Sequence, residues 1–212
     1  MHRRLLFAAL MSWCVALLAL RVVRTGSLMY AFLAWNLFLA IVPLVASERL
    51  VLAKRRFAQA SCLALWLLFL PNAPYILTDL IHLRPRPPVP LWFDLALLLS
   101  CAGTGLLLGY ASVANVHGFV ARRFGAVAGW CIAVASLLLS AFGMYLGRFL
   151  RWNSWDVLGN PMALLADVAR RVVNPLAHPR TVGVTMIFGG MLVLGYLAMN
   201  TLPHRDETLG ER

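Results

Sequence analysis

Six stretches of the chain are almost purely apolar, and short polar segments separate them. Most of them come near the roughly 20 residues that an α-helix needs to cross about 30 Å of hydrocarbon. Because unpaired backbone groups are costly in lipid, each stretch must form a helix. The pattern therefore predicts an all-α, polytopic transmembrane helix bundle with about six crossings. The stretches are residues 5–23, 28–46, 57–70, 91–113, 127–146 and 182–199.

The third stretch leads into a polar segment, residues 71–83, with the sequence PNAPYILTDLIHL. Pro71 and Pro74 cannot donate to a helical backbone ladder, so the third helix is predicted to be broken at Pro71–Pro74. Asn72 is then placed to be the N-cap of a helix that restarts there. Four polar side chains recur from this point at helical spacing and share one face: Asn72, Tyr75, Asp79 and His82.

The fifth stretch carries small residues at helical spacing, which let a second helix approach closely. Arg151 is expected to extend this stripe by one turn, within a segment GRFLRWNSWD at residues 147–156. An aromatic belt with snorkelling arginines would explain that segment without any functional role. Gly105 and Gly109 form a second close-packing pair in the fourth stretch. The small residues of the fifth stretch are Ser136, Ser140, Gly143 and Gly147.

Residues 161–176 are predicted to form one interfacial amphipathic helix, because one side is too polar to span a membrane. Asn160 would be its N-cap and Pro161 its first residue. Residues 203–212 are interpreted as a flexible charged tail, and residues 1–212 as a single integral membrane domain. The apolar side of the amphipathic helix would hold Met162, Leu165, Val168, Val172 and Leu176.

The composition agrees with a membrane location. Hydrophobic residues make up 61% of the chain and charged residues 13%, against about 25% charged in soluble domains. The net charge of +11 is typical of topology signals and of attraction to anionic lipids. We expect membrane lipids as partners, anionic lipids among them, and no nucleic acid, since no basic and aromatic nucleic-acid module is visible. The sequence identifies neither a cofactor nor a protein partner.

The orientation rests on the distribution of basic residues. Six crossings place both termini on one side, where ten Lys and Arg fall, against nine on the other side. That difference decides little. The densest short-loop cluster, between Arg49 and Arg56, favours a cytoplasmic N-terminus. We therefore expect both termini in the cytoplasm.

Several polar residues have ordinary structural interpretations. Arg21 and Arg24 end the first helix and are expected to snorkel to the headgroups. Asn36 is expected to bond a neighbouring helix. Asp94 lies in the first turn of the fourth helix, where the helix dipole favours an acidic residue. The four cysteines are interpreted as small core residues.

The polar segments emerge on one face of the membrane. The end of the third helix, the start of the fourth and the end of the fifth share that face in either orientation, and it is extracytoplasmic if the N-terminus is inside. Isolated charges near hydrocarbon are costly, so we predict that Asp79 and His82 face Arg148, Arg151 or Asp156 in one polar pocket. The residues expected on this face are Asn72, Tyr75, Asp79, His82, Asp94, Arg148, Arg151, Asn153 and Asp156.

The motifs in residues 71–83 and 147–156, with Asp94 between them, resemble a group of bacterial membrane proteins known as the domain of unknown function 1361 family. The resemblance covers roughly residues 66–165. It implies a multi-pass protein of the bacterial inner (cytoplasmic) membrane. The family has no established activity, so the resemblance supplies no substrate.

Two functional classes compete. In the first, a membrane enzyme binds or processes a phosphate-bearing lipid or isoprenoid, with Asp79 or His82 as general acid or base. Asp79, Asp94 and Asp156 could then hold a hard cation. In the second, the chain is a non-catalytic assembly component or lipid-binding scaffold with a structural polar network. A transporter is third, because broken helices suit transport but neither half repeats the other. The expected substrate-binding residues are Asn72, Tyr75, Arg148, Arg151 and Asn153.

Overall fold

The computed structural model describes residues 2–201, a range that leaves out the predicted tail at 203–212. Within that range the chain is built from helices, and the only extended pairing is an isolated bridge between Arg86 and Val89. Short 3₁₀ helices cover Ile76–His82 and Pro175–Ala177. The α-helices are α1 (His2–Thr25), α2 (Phe32–Leu52), α3 (Arg56–Phe69), α4 (Asn72–Tyr75), α5 (Leu91–Phe124), α6 (Ala126–Leu150), α7 (Asp156–Gly159), α8 (Pro161–Val173) and α9 (Pro179–Thr201).

Six segments are long and apolar enough to cross a membrane, which confirms the predicted number of crossings. Five of them are the single helices α1, α2, α5, α6 and α9. The other is Arg56–His82, in which α3, α4 and the first 3₁₀ helix follow one another. α5 is central, since several elements pack against it, namely α1, α2, α4, α6 and the 3₁₀ helix Ile76–His82.

The third span breaks where the prolines predict, but the capping prediction was wrong. α3 ends at Phe69, and Pro71 rather than Asn72 is the N-cap residue of α4. The Asn72 side chain donates instead to the Phe69 carbonyl, at 3.0 Å. The physical reason is that prolines remove backbone donors, so carbonyls at the end of α3 need other partners.

A second side chain, from the segment after α6, also bonds a carbonyl at the end of α3. The Ser154 hydroxyl donates to the Leu68 carbonyl at 3.2 Å. The Asn72 amide donates in turn to the Ser154 oxygen at 2.9 Å. The two predicted motifs therefore meet at the break in the third span.

Glycines on α5 and α6 pack against the broken segment, residues 71–82, from two sides. A Cβ on Gly105 would lie 2.5 Å from the Ala73 carbonyl oxygen, and a Cβ on Gly109 would lie 3.1 Å from the Ala73 Cβ. A Cβ on Gly143 would lie 2.5 Å from the Pro71 Cγ. The predicted close packing at these glycines is confirmed, and the neighbour in each case is the broken segment.

The stripe of small residues on α6 does not extend to Arg151, so that prediction was wrong. α6 ends at Leu150, and Arg151 adopts a left-handed conformation with φ 63°. The Trp152 N–H then bonds the Leu146 carbonyl at 3.2 Å and closes the turn. Arg151 is left exposed, off the face that carries the glycines.

The predicted amphipathic helix forms as α8, with Asn160 at the N-cap position and Pro161 first. It ends at Val173 rather than at 176, because Pro175 restricts the residue before it. Trp152 Nε1 donates to Asp167 Oδ2 at 2.9 Å, and this bond, followed by the contacts with Arg171, holds the pKa of Asp167 below its usual value.

The two sides of α8 face different surroundings. The polar side is turned towards the bundle, where Asp167 meets Trp152 and Arg171. The apolar side is exposed, as an interfacial helix requires if it is to contact lipid. The exposed apolar side chains of α8 are Met162, Leu165, Val172 and Val173.

Candidate functional site

A buried ion pair joins the broken segment to the end of α6. Arg148 Nη2 contacts the Asp79 carboxylate, and Arg148 Nε and Nη2 donate to Thr78 Oγ1 at 2.8 and 2.6 Å. The Asp79 side chain is 2% exposed and the Arg148 side chain 13%. Charges this far from water are stable only when paired. Asp79 and Arg148 thus meet as the sequence predicts.

The 3₁₀ geometry of Ile76–His82 brings a second ionisable side chain, that of His82, into contact with Arg148. Three residues per turn align Asp79 with His82 on one side. Arg148 Nη1 lies 3.2 Å from His82 Nε2. Because a guanidinium only donates, Nε2 is the acceptor and the His82 ring carries its proton on Nδ1. All three nitrogens of Arg148 therefore have acceptors.

The far side of the Asp79 carboxylate is closed by α2. Asn36 Nδ2 donates to Asp79 Oδ2 at 2.9 Å, which confirms the expected bond between helices. The Tyr75 ring covers the arginine, with its centroid 4.5 Å from the guanidinium carbon. The network around Asp79 and Arg148 is therefore saturated, in the sense that every guanidinium nitrogen and both carboxylate oxygens have a partner.

An open cavity of about 280 Å³ lies beside this network, between α2, α3, α6 and the segment after α6. Asn36 and Tyr75 belong to both, so the network forms one wall of the cavity. Among the described residues, the lining includes no Lys, Arg, Asp or Glu side chain. The polar lining consists of Asn36, Asn72, Tyr75, Asn153 and Ser154, and the indole lining of Trp35, Trp152 and Trp155.

A second buried ion pair lies between α1 and the start of α5. Arg21 donates from Nε and Nη2 to the two Asp94 oxygens at 2.7 and 3.2 Å, and the side chains are 3% and 1% exposed. The prediction that Arg21 snorkels to the headgroups was wrong. A two-point bond to a carboxylate allows the guanidinium to be buried instead.

Tyr30 connects the two pairs. Its ring centroid lies 4.3 Å from the Arg21 guanidinium carbon, and its hydroxyl donates to the His82 carbonyl at 3.2 Å. Burial, followed by the negative charge of Asp94, raises the pKa of Tyr30. The hydroxyl therefore keeps the proton that it donates.

The predicted metal ligands do not come together. Asp79 pairs with Arg148 and Asp94 with Arg21, while Asp156 Oδ2 accepts from the Asn153 backbone N–H at 2.6 Å. Within residues 2–201, no three His, Cys, Asp or Glu side chains group closely enough to hold a metal ion. The three carboxylates do not converge in this structure, because each contacts a donor of its own, and their role as cation ligands stays a prediction.

The expected substrate-binding residues divide into three groups. Asn72, Tyr75 and Asn153 line the cavity. Arg148 is committed to the buried network, and Arg151 is exposed outside the cavity lining. Sequence reasoning missed Thr78, Ser154 and the Arg21–Asp94 pair. A hydroxyl next to Asp79 and another next to Asn153 were the available signals for the first two.

The chain belongs to the family described as protein of unknown function (DUF1361), whose model matches residues 35–194. The match confirms the resemblance found in the two motifs and extends it from α2 into α9. No curated protein and no solved structure matches the chain.

Proposed function

We propose that this membrane protein binds one amphiphilic lipid in the cavity beside α6 and that it does so without catalysis. The observation that carries the proposal is the division of the cavity wall into an uncharged polar part and an apolar part. A lipid with a hydrogen-bonding but uncharged head and a hydrocarbon tail matches both parts. The Asp79–Arg148 network then acts as structural support for the polar wall.

The polar part of the wall suits a hydroxyl-bearing or carbonyl-bearing head. The Asn72 N–H groups and the Ser154 hydroxyl proton are used within the protein, so Asn72 Oδ1 can accept from a ligand, whereas the Asn153 amide can both donate and accept. Asn72 and Ser154 are fixed by their bonds to the α3 carbonyls, so their positions are set before a ligand arrives. Such preorganisation favours binding, because less freedom is lost on association.

The apolar part suits the upper portion of an acyl chain. Leu67 and Leu139 line the cavity and are also exposed on the outer surface of the bundle, where lipid lies. A volume of about 280 Å³ is near the lower end of ligand pockets, which begin at roughly 300 Å³. The cavity therefore has room for a head and the start of a tail, with the remainder in the bilayer.

The same geometry argues against the enzyme hypothesis. His82 Nε2 accepts from Arg148, so it is not free to take a proton from a substrate. Asp79 is bound by both Arg148 and Asn36. Arg151, expected to hold a phosphate, does not line the cavity. Acid–base chemistry would require the network to open, so we favour the non-catalytic, lipid-binding scaffold.

We propose further that the cavity faces outward from the bacterial inner membrane, with both termini in the cytoplasm. Arg21 and Arg148 are buried in ion pairs, so they do not act as surface charges. Removing these two from the nine basic residues on the cavity side leaves seven, against ten on the terminal side. An external thiol reagent should label Arg84→Cys but not Lys54→Cys, and the reverse result would refute the orientation.

Native mass spectrometry of the purified full chain tests the lipid proposal. The wild-type protein should retain one lipid per chain. Leu139→Trp, which fills the cavity from the lipid side, should lose most of it. Leu99→Trp is the matched control, because Leu99 on α5 is 50% exposed, close to the 52% of Leu139, and does not line the cavity.

Equal retention in the Leu139→Trp and wild-type proteins would contradict the proposal, as would loss of lipid in the Leu99→Trp control. The identity of the retained lipid adds a second check. An uncharged head fits the cavity wall. A lipid with a terminal phosphate or diphosphate would return the enzyme hypothesis to first place.

A further inference from the structure

A second cavity, of about 520 Å³, lies on the same membrane face, between the end of α1 and the start of α5. It shares no lining residue with the cavity beside α6. The loop before α5 forms its third wall, through Pro88, Val89 and Pro90. Its most unusual feature is that two arginines, Arg21 and Arg24, line it.

The guanidinium of Arg21 is not saturated. Its Nε and Nη2 donate to Asp94, whereas Nη1 is buried and has no hydrogen-bond partner among the described residues. A buried donor on a charged group without an acceptor is costly. Arg148, in the other buried pair, has an acceptor on every nitrogen. Arg21 lines the cavity, and its Nη1, which is enclosed by protein in this structure, is the one guanidinium nitrogen of the two buried pairs that lacks an acceptor within the described part of the chain.

Two more features favour a negative charge in this cavity. Arg24 is exposed and makes no hydrogen bond or ion pair with any other residue between 2 and 201, and Asp94 balances only Arg21, so one positive charge remains. α5 starts at Leu91 without a side-chain cap, and its first-turn residues Trp92 and Phe93 line the cavity. A helix N-terminus attracts anions through its free N–H groups and its dipole.

The rest of the wall decides between a free anion and a lipid. Leu20, Val89, Trp92 and Phe93 give it a largely apolar surface, which free phosphate would not use. Leu20 and Trp92 are also exposed on the outside of the bundle. An exposed tryptophan beside arginines is typical of the level of the lipid headgroups.

We propose that this cavity binds an anionic phospholipid, whose phosphate oxygens accept from the exposed Arg24 and from Arg21, whose enclosed Nη1 is reached when the Arg21 side chain turns towards the cavity. The glycerol and the upper acyl chain would lie against Leu20, Val89 and Trp92. The inference concerns a cavity other than the one in the proposed function. Either of the two can therefore fail without the other.

Titration of the purified full chain with dioctanoyl phosphatidylglycerol, followed by native mass spectrometry, tests the inference. The wild-type protein should bind one copy more tightly than dioctanoyl phosphatidylcholine. Arg24→Gln should weaken that binding about tenfold, the change expected from loss of one charge-assisted hydrogen bond. Arg84→Gln removes the same charge from an exposed arginine on the same face, outside the cavity lining, and should leave the affinity unchanged.

Arg21→Lys provides a second variant, since lysine can still pair with Asp94 but lacks Nη1. Arg21→Lys should also weaken the binding if the variant is folded, as judged by a wild-type elution volume in size-exclusion chromatography. If Arg21→Lys is not folded, the result for Arg24→Gln decides the test. If Arg24→Gln and Arg84→Gln lose the same amount of affinity for the lipid, the effect is due to general surface charge, and the proposal is overturned. Displacement of the lipid by inorganic phosphate at equal concentration would also overturn it, in favour of a site for free anions.

Discussion

The two buried arginine–aspartate pairs contain the same chemical groups but differ in their remaining partners. Asp79 and Arg148 are enclosed by Thr78, His82 and Asn36, so every nitrogen of the guanidinium has an acceptor. Arg21 and Asp94 bind each other through two bonds and leave Arg21 Nη1 buried without a partner among the described residues, in a residue that lines a cavity.

The difference teaches that a buried charge is not in itself a sign of a binding site. In a saturated network no guanidinium nitrogen lacks an acceptor, and opening it would expose several unpaired groups at once. An unsaturated pair already contains the unpaired group, so a ligand that supplies an acceptor lowers the free energy of the folded protein. We therefore assign a structural role to the first pair and a binding role to the second.

The largest expected effect separates the pairs by their dependence on lipid. Asp79→Asn leaves Arg148 buried without a counter-ion and should lower the free energy of unfolding by about 3 to 5 kcal/mol. The loss should be the same in zwitterionic and in anionic bicelles. Asp94→Asn should lose a similar amount in zwitterionic bicelles but recover about 1.5 to 3 kcal/mol in anionic ones, since a lipid phosphate can replace the carboxylate beside Arg21.

Denaturant unfolding in the two kinds of bicelle measures both variants. Glu48→Gln is the control, because Glu48 pairs with Arg3 and Arg4 at an exposed site and should change stability by less than about 1 kcal/mol. If anionic lipid rescues both aspartate variants or neither, the distinction between a saturated and an unsaturated pair fails.

The parts of the fold that could be predicted depend on local chemistry. Apolar length determines the six spans, and proline chemistry determines the interruption at Pro71, between α3 and α4. The meeting of Asp79 with Arg148 follows from topology, since the end of the third span and the end of α6 emerge on one face. Within that framework, spacing at three and four residues correctly predicted close packing at Gly105, Gly109 and Gly143, although not the segment that packs there.

The parts that could not be predicted depend on partners far apart in sequence. Arg21 and Asp94 are 73 residues apart, and their pairing requires a particular rotation of α1 against α5. The apolar stretch of α1 is interrupted by few polar residues, so its sequence pattern does not specify that rotation. Local spacing predicts that Asn72 is an N-cap, but its partner Ser154 lies 82 residues away, so the sequence pattern around Asn72 does not identify it.

A glycine substitution should have a smaller effect on stability and should also distinguish the two pairs. The close-packed glycines of α5 and α6 contact the segment that leads into Asp79. Gly143→Ala places a Cβ 2.5 Å from the Cγ of Pro71, whose ring cannot rotate away, so the broken segment must shift. Overpacking of this kind costs about 1 to 3 kcal/mol. Because the broken segment leads into Asp79, the shift should also disturb the Asp79–Arg148 network.

Gly190→Ala on α9 is the matched control, since a Cβ there meets no atom within 4 Å, and alanine is the better helix former by about 1 kcal/mol. It should be neutral or stabilising. Binding of dioctanoyl phosphatidylglycerol gives a second readout for Gly143→Ala. It should remain at the wild-type level, because Gly143 and Pro71 line the cavity beside α6 and not the cavity of Arg21 and Arg24. If Gly143→Ala weakens that binding as much as Arg24→Gln does, Tyr30, which contacts both Arg21 and His82, couples the two sites. The two pairs would then have to be treated as one unit.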